Sequence, residues 1–132
     1  MFNETSLGPS LEKNAGANMK VIVAGSREGV TYEHVEAAIK ESQFEITEVV
    51  SGTAKGADQF GEAWAIFRKI PIKRFPADWN RHGKSAGYLR NKQMAEYGDA
   101  LIAVHYKGSK GTQHMIDLAK KAGLLVYVLN IQ

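Results

Sequence analysis

The 132-residue sequence fits a single domain, since a typical domain takes roughly 100–200 residues. It contains no cysteine, which excludes a disulfide scaffold, thiolate metal sites and a cysteine nucleophile. No apolar run approaches the roughly 18–20 residues of a membrane span, and a hydrophobic content of 44% with 23% charged residues is ordinary for a globular protein. We therefore predict a cytoplasmic protein with no membrane partner.

Positive charge is concentrated in one part of the chain. The formal net charge is only +3, but the segment from Arg68 to Lys92 holds eight basic residues against a single acid, Asp78. A local positive field of this kind attracts anions.

The chain divides into a polar leader and an alternating fold. Residues 1–18 carry Gly, Asn and Ser, and we predict a flexible leader there, with the folded domain over residues 19–132. Within the domain, β-branched apolar runs alternate with segments whose apolar residues recur at helical spacing. The predicted strands are 20–24, 46–51, 71–75, 99–106 and 124–129; the predicted helices are 32–43, 56–69, 85–97 and 111–122, with a polar loop over 76–84.

This alternation predicts a single α/β domain: a three-layer, Rossmann-like, doubly wound parallel sheet of about five strands. The inward residues of two helices are expected to be Phe60, Ala63, Trp64 and Phe67 in the second and Leu89 and Met94 in the third. Ligands of such sheets bind outside the carboxyl ends of the strands. Four strand-to-helix junctions are therefore the candidate site.

The first junction is Gly25-Ser26-Arg27-Glu28. Glycine permits a tight turn, Ser26 offers a hydroxyl, and Arg27 can make a two-pronged contact with phosphate. The pattern is not G-x-G-x-x-G, and the second strand does not end in an acid that would hold a ribose. A standard dinucleotide dehydrogenase is therefore disfavoured.

The second junction runs from Ser51 and Gly52 through Lys55 to Asp58. Small residues here bring backbone N–H groups to a helix N-terminus, where anions bind favourably. Asp58 falls in the first helical turn, where it stabilises the helix terminus, contacts a ligand hydroxyl or holds the turn.

The third junction holds Asp78 and Trp79 in the polar loop, followed by Arg90 and Asn91 early in the next helix. Trp79 either packs against a neighbouring helix or covers the base of a ligand. Arg90 either binds a phosphate or forms a surface ion pair.

The fourth junction contains Gly108, Ser109, Gly111 and Thr112. A Gly-x-x-Gly-Thr loop that opens a helix makes a nest of N–H donors with two hydroxyls, typical of a phosphate-binding loop. The alternative is a simple strand–helix turn with Ser109 or Thr112 as the cap. The junction lacks the spacing of a Walker A loop. No metal site is predicted, because the four histidines show no paired ligand spacing, and no cofactor is indicated.

Together the junctions resemble the YspA/cpYpsA-related branch of the SLOG superfamily, the Rossmann-like group related to DprA and to the LOG phosphoribohydrolases. The matching stretches are Val23-Ala24-Gly25-Ser26-Arg27, residues 51–58, Ala77-Asp78-Trp79, residues 86–91, Asp99-Ala100-Leu101-Ile102-Ala103 and residues 108–112. The resemblance implies binding of a nucleotide or nucleotide-derived ligand, such as an ADP-ribose-like molecule or a nucleoside phosphate, and a homodimer or higher homo-oligomer.

Three functions follow from these observations. The first is binding of that ligand, for sensing or processing. The second is N-glycosidic hydrolysis of a nucleotide, with Glu28 or Asp58 as the catalytic carboxylate; the phosphoribohydrolase relatives carry a Glu soon after Gly-Thr, whereas this chain has Gln113, which cannot act as a base. The third, DprA-like binding of nucleic acid through the basic segment, is disfavoured because only Trp79 and Tyr88 could stack on bases there.

Overall fold

The computed structural model describes residues 2–6 and 18–132. Its six strands are β1 (Phe2–Ser6), β2 (Met19–Gly25), β3 (Ile46–Ser51), β4 (Ile72–Arg74), β5 (Ala100–Tyr106) and β6 (Leu125–Ile131). The helices are α1 (Tyr32–Ser42), α2 (Ala57–Arg68), α3 (Trp79–His82), α4 (Ala86–Tyr97) and α5 (Lys110–Lys121), and a 3₁₀ turn, Gly83–Ser85, joins α3 to α4.

The strands form one sheet in the order β1-β6-β5-β2-β3-β4. Strands β2 to β6 pair in parallel, which confirms the predicted five-stranded Rossmann-like sheet. Strand β1 adds an antiparallel edge, with Phe2 opposite Asn130 and Ser6 opposite Val126. No strand was expected in the predicted leader, of which residue 1 and residues 7–17 lie outside the described residues.

The sheet is covered on both faces, which is why its central strands β2, β5 and β6 are predominantly apolar. Alternate residues of β2 point to opposite sides: Val21 and Val23 join the core under α1 and α2, while Ile22 and Ala24 join the core under α4 and α5. The chain winds outward from β2 to β4 and then returns to β5 on the other side of β2. Right-handed crossovers put the helices of the two directions on opposite faces.

Two helices bury different residues from those predicted. In α2 the buried stripe is Ala57, Asp58, Gly61, Trp64 and Ala65, which leaves Ala63 exposed and Phe67 80% exposed. In α4, Met94 is buried as predicted but Leu89 is 41% exposed. These helices carry more hydrophobic residues than they have positions facing the sheet. Helical spacing alone therefore predicted too many buried residues.

The predicted polar loop over 76–84 contains the short helix α3. Asp78 caps it, since its Oδ1 accepts the N–H of Arg81 at 3.1 Å. None of the helices in the described part of the chain is long and apolar enough to cross a membrane.

Candidate functional site

A cleft of about 530 Å³ opens at the carboxyl ends of β2 and β5. These strands are neighbours at the point where the chain direction across the sheet reverses, which is where doubly wound folds bind ligands. All four predicted junctions, here called the β2–α1, β3–α2, β4–α4 and β5–α5 connections, contribute to its lining. The lining residues are Ala24, Gly25, Ser26, Arg27, Glu28, Ala54, Asp58, Trp79, Lys84, Gly87, Tyr88, Arg90, Asn91, Met94, Tyr106, Lys107, Ser109, Gly111, Thr112 and Met115.

Gly25 and Ser26 hold the β2–α1 connection against β5. A Cβ at Gly25 would lie 2.9 Å from the Cβ of Ala57 and would collide with the carbonyl of Val104. The buried Ser26 hydroxyl accepts the N–H of Tyr106 at 2.9 Å and lies 3.4 Å from the Tyr106 carbonyl. Ser26 therefore joins two strand ends, although it also faces the cleft.

Arg27 and Glu28 follow as exposed residues at the rim of the cleft. No described residue forms a hydrogen bond or ion pair with either side chain. Both are therefore available to a ligand.

Asp58 lies on the floor of the cleft and is only 5% exposed. Its Oδ2 accepts the N–H of Ala54 at 3.1 Å. Burial raises the pKa of Asp58 from 3.8 to about 6, and the Ala54 N–H and the charge of Arg90 partly oppose this rise. Asp58 is thus a carboxyl group that titrates close to neutral pH.

Gly52 separates Asp58 from Arg90. A Cβ there would lie 2.8 Å from Asp58 Oδ2 and 2.5 Å from Arg90 Nη1, and the Gly52 carbonyl accepts a hydrogen bond from Arg90 Nη1. Burial lowers the pKa of Arg90, while Asp58 opposes this effect. Gly52 was predicted as a ligand residue; it lies outside the lining and instead gives Arg90 space and an acceptor.

Two other predicted residues of the β3–α2 connection also lie outside the lining. Ser51 is fully buried, donates to Glu62 Oε2 at 2.6 Å and accepts the N–H of Thr53 at 3.1 Å. Glu62 in turn forms an ion pair with Arg74 at 2.9 Å. Lys55 is exposed. This connection mainly braces the fold.

The β4–α4 connection places Trp79 at the mouth of the cleft, 51% exposed. A Cβ at Gly87 would lie 3.5 Å from its ring, so the indole rests against the start of α4. Asp78 lies outside the lining because its carboxylate caps α3. Three lining residues here, Lys84, Gly87 and Tyr88, were not predicted as site residues.

Arg90 and Asn91 connect α4 to the neighbouring connections. Arg90 Nε donates to Asn91 Oδ1 at 3.0 Å. Asn91 Nδ2 lies 3.5 Å from the Gly111 carbonyl and 3.2 Å from His114 Nδ1. The ring of His114 lies against that of Tyr88, with centroids 4.3 Å apart.

The β5–α5 connection leaves the first turn of α5 open. Ser109, its N-cap residue, makes no side-chain capping bond, and Thr112 Oγ1 donates to Ser109 Oγ at 3.1 Å. No described residue accepts a hydrogen bond from the N–H groups of residues 110–112. Gly108 lies outside the lining, at φ 66°, and forms the turn with Lys107 at φ 47°.

Several lining residues were missed by sequence reasoning. Tyr106 and Lys107 belong to the fourth junction, and their position in the sequence beside its glycines could have identified them as lining residues. Met94 was predicted to face the core, and both Met94 and Met115 are almost fully buried while they line the cleft.

Most of the basic segment lies outside the cleft lining. Arg68 lies over the ring of Trp64 at 5.3 Å, Arg74 pairs with Glu62, and Lys73 lies 5.9 Å from the ring of Tyr97. Only Lys84 and Arg90 of this segment line the cleft. Among the described residues, no group of three His, Cys, Asp or Glu side chains could hold a metal ion.

Fold and cleft together define a Rossmann-like domain with a cation-bearing candidate site at the switch point of its sheet. A family model described as the YspA, cpYpsA-related SLOG family matches residues 19–82. The chain is also 39% identical over 84 residues to the "Gene 61 protein" of Mycobacterium phage D29, an alignment that covers 59% of this chain and 67% of that protein. No solved structure matches the chain.

The chain belongs to the YspA, cpYpsA-related SLOG family. Membership supports a nucleotide-related role in ligand binding or processing. The matched residues include the first two connections and the Trp79 region of the third, while the β5–α5 connection lies beyond them.

Proposed function

We propose that the cleft binds a nucleotide or nucleotide-derived phosphate ligand, such as a nucleoside phosphate or an ADP-ribose-like molecule. One observation carries the proposal: four cationic side chains and the unbonded first turn of α5 face a single cleft at the sheet's switch point. The cations are Arg27, Lys84, Arg90 and Lys107, against the two acids Glu28 and Asp58. A volume of about 530 Å³ falls within the roughly 300–1,000 Å³ typical of small-molecule sites.

The start of α5 is the best place for a phosphate. The N–H groups of residues 110–112 have no acceptor among the described residues, and the helix dipole favours negative charge there. A Cβ at Gly111 would meet nothing within 4 Å, so an anion can approach the backbone closely.

Arg90, on the neighbouring helix α4, supports this placement. Its Nε and Nη1 are held by Asn91 and Gly52, which fixes the plane of the guanidinium. Nη2 is the nitrogen left without one of these two bonds. It lies 3.9 Å from the position that a Cβ on Gly87 would take, and both residues line the cleft. A guanidinium fixed in this way binds phosphate with little further loss of side-chain entropy.

Trp79 and Tyr88 are suited to bind the base. Their rings are 51% and 50% exposed and both line the cleft. Stacking of a base on an aromatic side chain is worth about 1–3 kcal/mol.

Calorimetry with a panel of adenine and guanine nucleotides and ADP-ribose tests the proposal. We expect saturable, micromolar binding by at least one of them. Arg27→Ala should weaken it about tenfold or more, because a charge-assisted hydrogen bond is lost. Arg68→Ala is the matched control, since Arg68 lies over Trp64 at the far end of α2. Absence of heat with every compound would overturn the proposal.

The second candidate is N-glycosidic hydrolysis, and the burial of Asp58 in the cleft favours it. With a pKa of about 6, Asp58 in its carboxylate form can take a proton from water as the water oxygen bonds to C1′ of a ribose and the C1′–N bond breaks. The departing base nitrogen takes up a proton from Asp58 or solvent, which gives free base and a ribose phosphate. Glu28 is exposed and lacks this burial. Gln113, in the region where the hydrolase relatives carry their Glu, lies outside the lining and donates to Asp117 at 2.9 Å.

Release of free base from nucleoside monophosphates, followed by chromatography, tests this candidate. Asp58→Asn should abolish release and Glu28→Gln should leave most of it. Release that is unchanged in Asp58→Asn would remove Asp58 from catalysis. Absence of release, with binding intact, would leave binding as the function.

We also propose a homodimer, following the family. Ile66 and Phe67, 64% and 80% exposed at the end of α2, offer a second copy an apolar surface. Light scattering should give twice the monomer mass, and Phe67→Ser should reduce it. A monomer at all concentrations would contradict the dimer. Residence in the cytoplasm stays a prediction from the absence of cysteine.

A further inference from the structure

Every polar atom of the Asn91 side chain is engaged by protein. Asn91 is 7% exposed, its Oδ1 accepts from Arg90 Nε at 3.0 Å, and its Nδ2 faces both the Gly111 carbonyl and His114 Nδ1. Asn91 was predicted to bind ligand, but its donors and acceptor are already used.

These partners fix the orientation of the Asn91 amide. Arg90 Nε can only donate, so it must meet the amide oxygen, and the Gly111 carbonyl can only accept, so it must meet the amide nitrogen. The remaining amide hydrogen points to His114 Nδ1, which must therefore accept. His114 is thus neutral, with its proton on Nε2.

Protonation of His114 conflicts with this arrangement. An Nδ1–H would face the Asn91 NH₂, donor against donor, and a rotated amide would instead present its NH₂ to Arg90 Nε. The rotated amide loses the bond to Arg90 Nε, one of the two that hold the guanidinium, whereas the unrotated amide keeps that bond but places two donors face to face.

We infer that Asn91 and His114 are positioning residues that hold Arg90 for the anion only while His114 is neutral, so that phosphate affinity falls as His114 becomes protonated. The inference rests on the proposed function for its effect on binding, but the hydrogen-bond chain can be tested without ligand. It adds a pH-dependent element to the site, through a residue outside the cleft lining.

The surroundings of His114 agree with a neutral ring. The ionisable groups around it are Asp117 on α5 and, on the packed helix α4, Tyr88 at its ring and Arg90 beyond Asn91. Burial lowers the pKa of His114 below its usual 6.5, while Asp117 opposes the shift. The transition is therefore expected below pH 6.5.

Nuclear magnetic resonance of the ligand-free protein tests the chain of bonds. We expect the Nε2–H tautomer of His114 at pH 8 and a protected Arg90 Nε–H signal that exchanges faster as His114 titrates. Asn91→Asp replaces the donor with an acceptor, so the pKa of His114 should rise. An Nδ1–H tautomer, or an Arg90 signal indifferent to the titration, would overturn the inference.

Binding of ADP between pH 5 and 8 tests the consequence. His114→Gln keeps an acceptor for Asn91 but cannot titrate, so its affinity should exceed that of the wild type by about tenfold at pH 5 and match it at pH 8. The phosphate titrates near pH 6, as does Asp58, so the difference between the two proteins is the informative quantity.

His34→Gln is the matched control, because His34 caps α1 and Gln preserves a capping box. It should follow the wild type throughout. Identical pH profiles for His114→Gln and the wild type, with ADP bound, would overturn the inference while the proposed function stands. Absence of ADP binding counts against ADP as the ligand, and the resonance measurements then decide the inference alone.

Discussion

Two connections with similar sequences behave differently in this fold. The β3–α2 connection, residues 52–56, and the β5–α5 connection, residues 107–109, both combine glycine with a hydroxyl residue and lysine, and both lead into a helix at the same edge of the sheet. From sequence, each predicts a phosphate-binding turn.

The β3–α2 connection and its flanking residues are hydrogen-bonded to other parts of the protein. Ser51 bonds Glu62, Asp58 holds the Ala54 N–H, and the Gly52 carbonyl accepts from Arg90. At Gly56, with φ 77°, a Cβ would lie 2.7 Å from the Arg27 carbonyl. Its polar groups are used to hold other parts of the site.

The β5–α5 connection is open. A Cβ at Gly108 or Gly111 would meet nothing within 4 Å, and the first N–H groups of α5 find no acceptor among the described residues. The comparison teaches that open space in front of the glycines, rather than glycine content, separates the turn proposed to bind phosphate from the bracing one.

The largest expected effect is that of Asp58→Asn on stability. The folded-state pKa of about 6 exceeds the unfolded value of 3.8, so the group stabilises the protein below about pH 4 and this contribution is lost as pH rises through 6. The loss is about 3 kcal/mol. Urea denaturation at several pH values measures the free energy of unfolding. Between pH 4 and 7, the value for Asp58→Asn should rise by that amount relative to the wild-type value. Parallel pH profiles would show that Asp58 is not desolvated.

A matched pair of glycine substitutions tests the difference between the two connections directly. Gly52→Ala should lower the free energy of unfolding by about 2 kcal/mol, because its Cβ meets Arg90 and Asp58. Gly111→Ala, at an open helical position, should be neutral or stabilising by up to about 1 kcal/mol. Equal losses in urea denaturation would contradict the distinction between the two connections.

A matched lysine pair gives the smallest effect. Lys107→Ala should weaken ADP binding about threefold to fivefold, since an exposed charge contact contributes up to about 1 kcal/mol. Lys55→Ala should leave the affinity unchanged, because Lys55 lies outside the lining. Calorimetry at constant ionic strength measures both affinities. A loss of affinity in Lys55→Ala alone would indicate that Lys55, rather than Lys107, contacts the ligand.

The parallel sheet could be predicted from sequence because β-branched runs and helical spacing alternate throughout the domain. The convergence of the junctions could also be predicted, since parallel strands end at one edge. The roles of Ser51, Gly52 and Asn91 could not, because they depend on partners such as Glu62, Arg90 and His114, which are 11, 38 and 23 residues away respectively. Antiparallel strand β1 was missed because its short, mixed sequence has no apolar run.

Amide chemical-shift mapping during a titration with ADP tests the central claim most directly. We predict the largest shifts at the N–H groups of residues 109–112, with smaller ones at Arg27 and Trp79, and little change around Ser51 and Gly56. Shifts concentrated in the β3–α2 connection, or at the Ile66–Phe67 end of α2, would contradict the account.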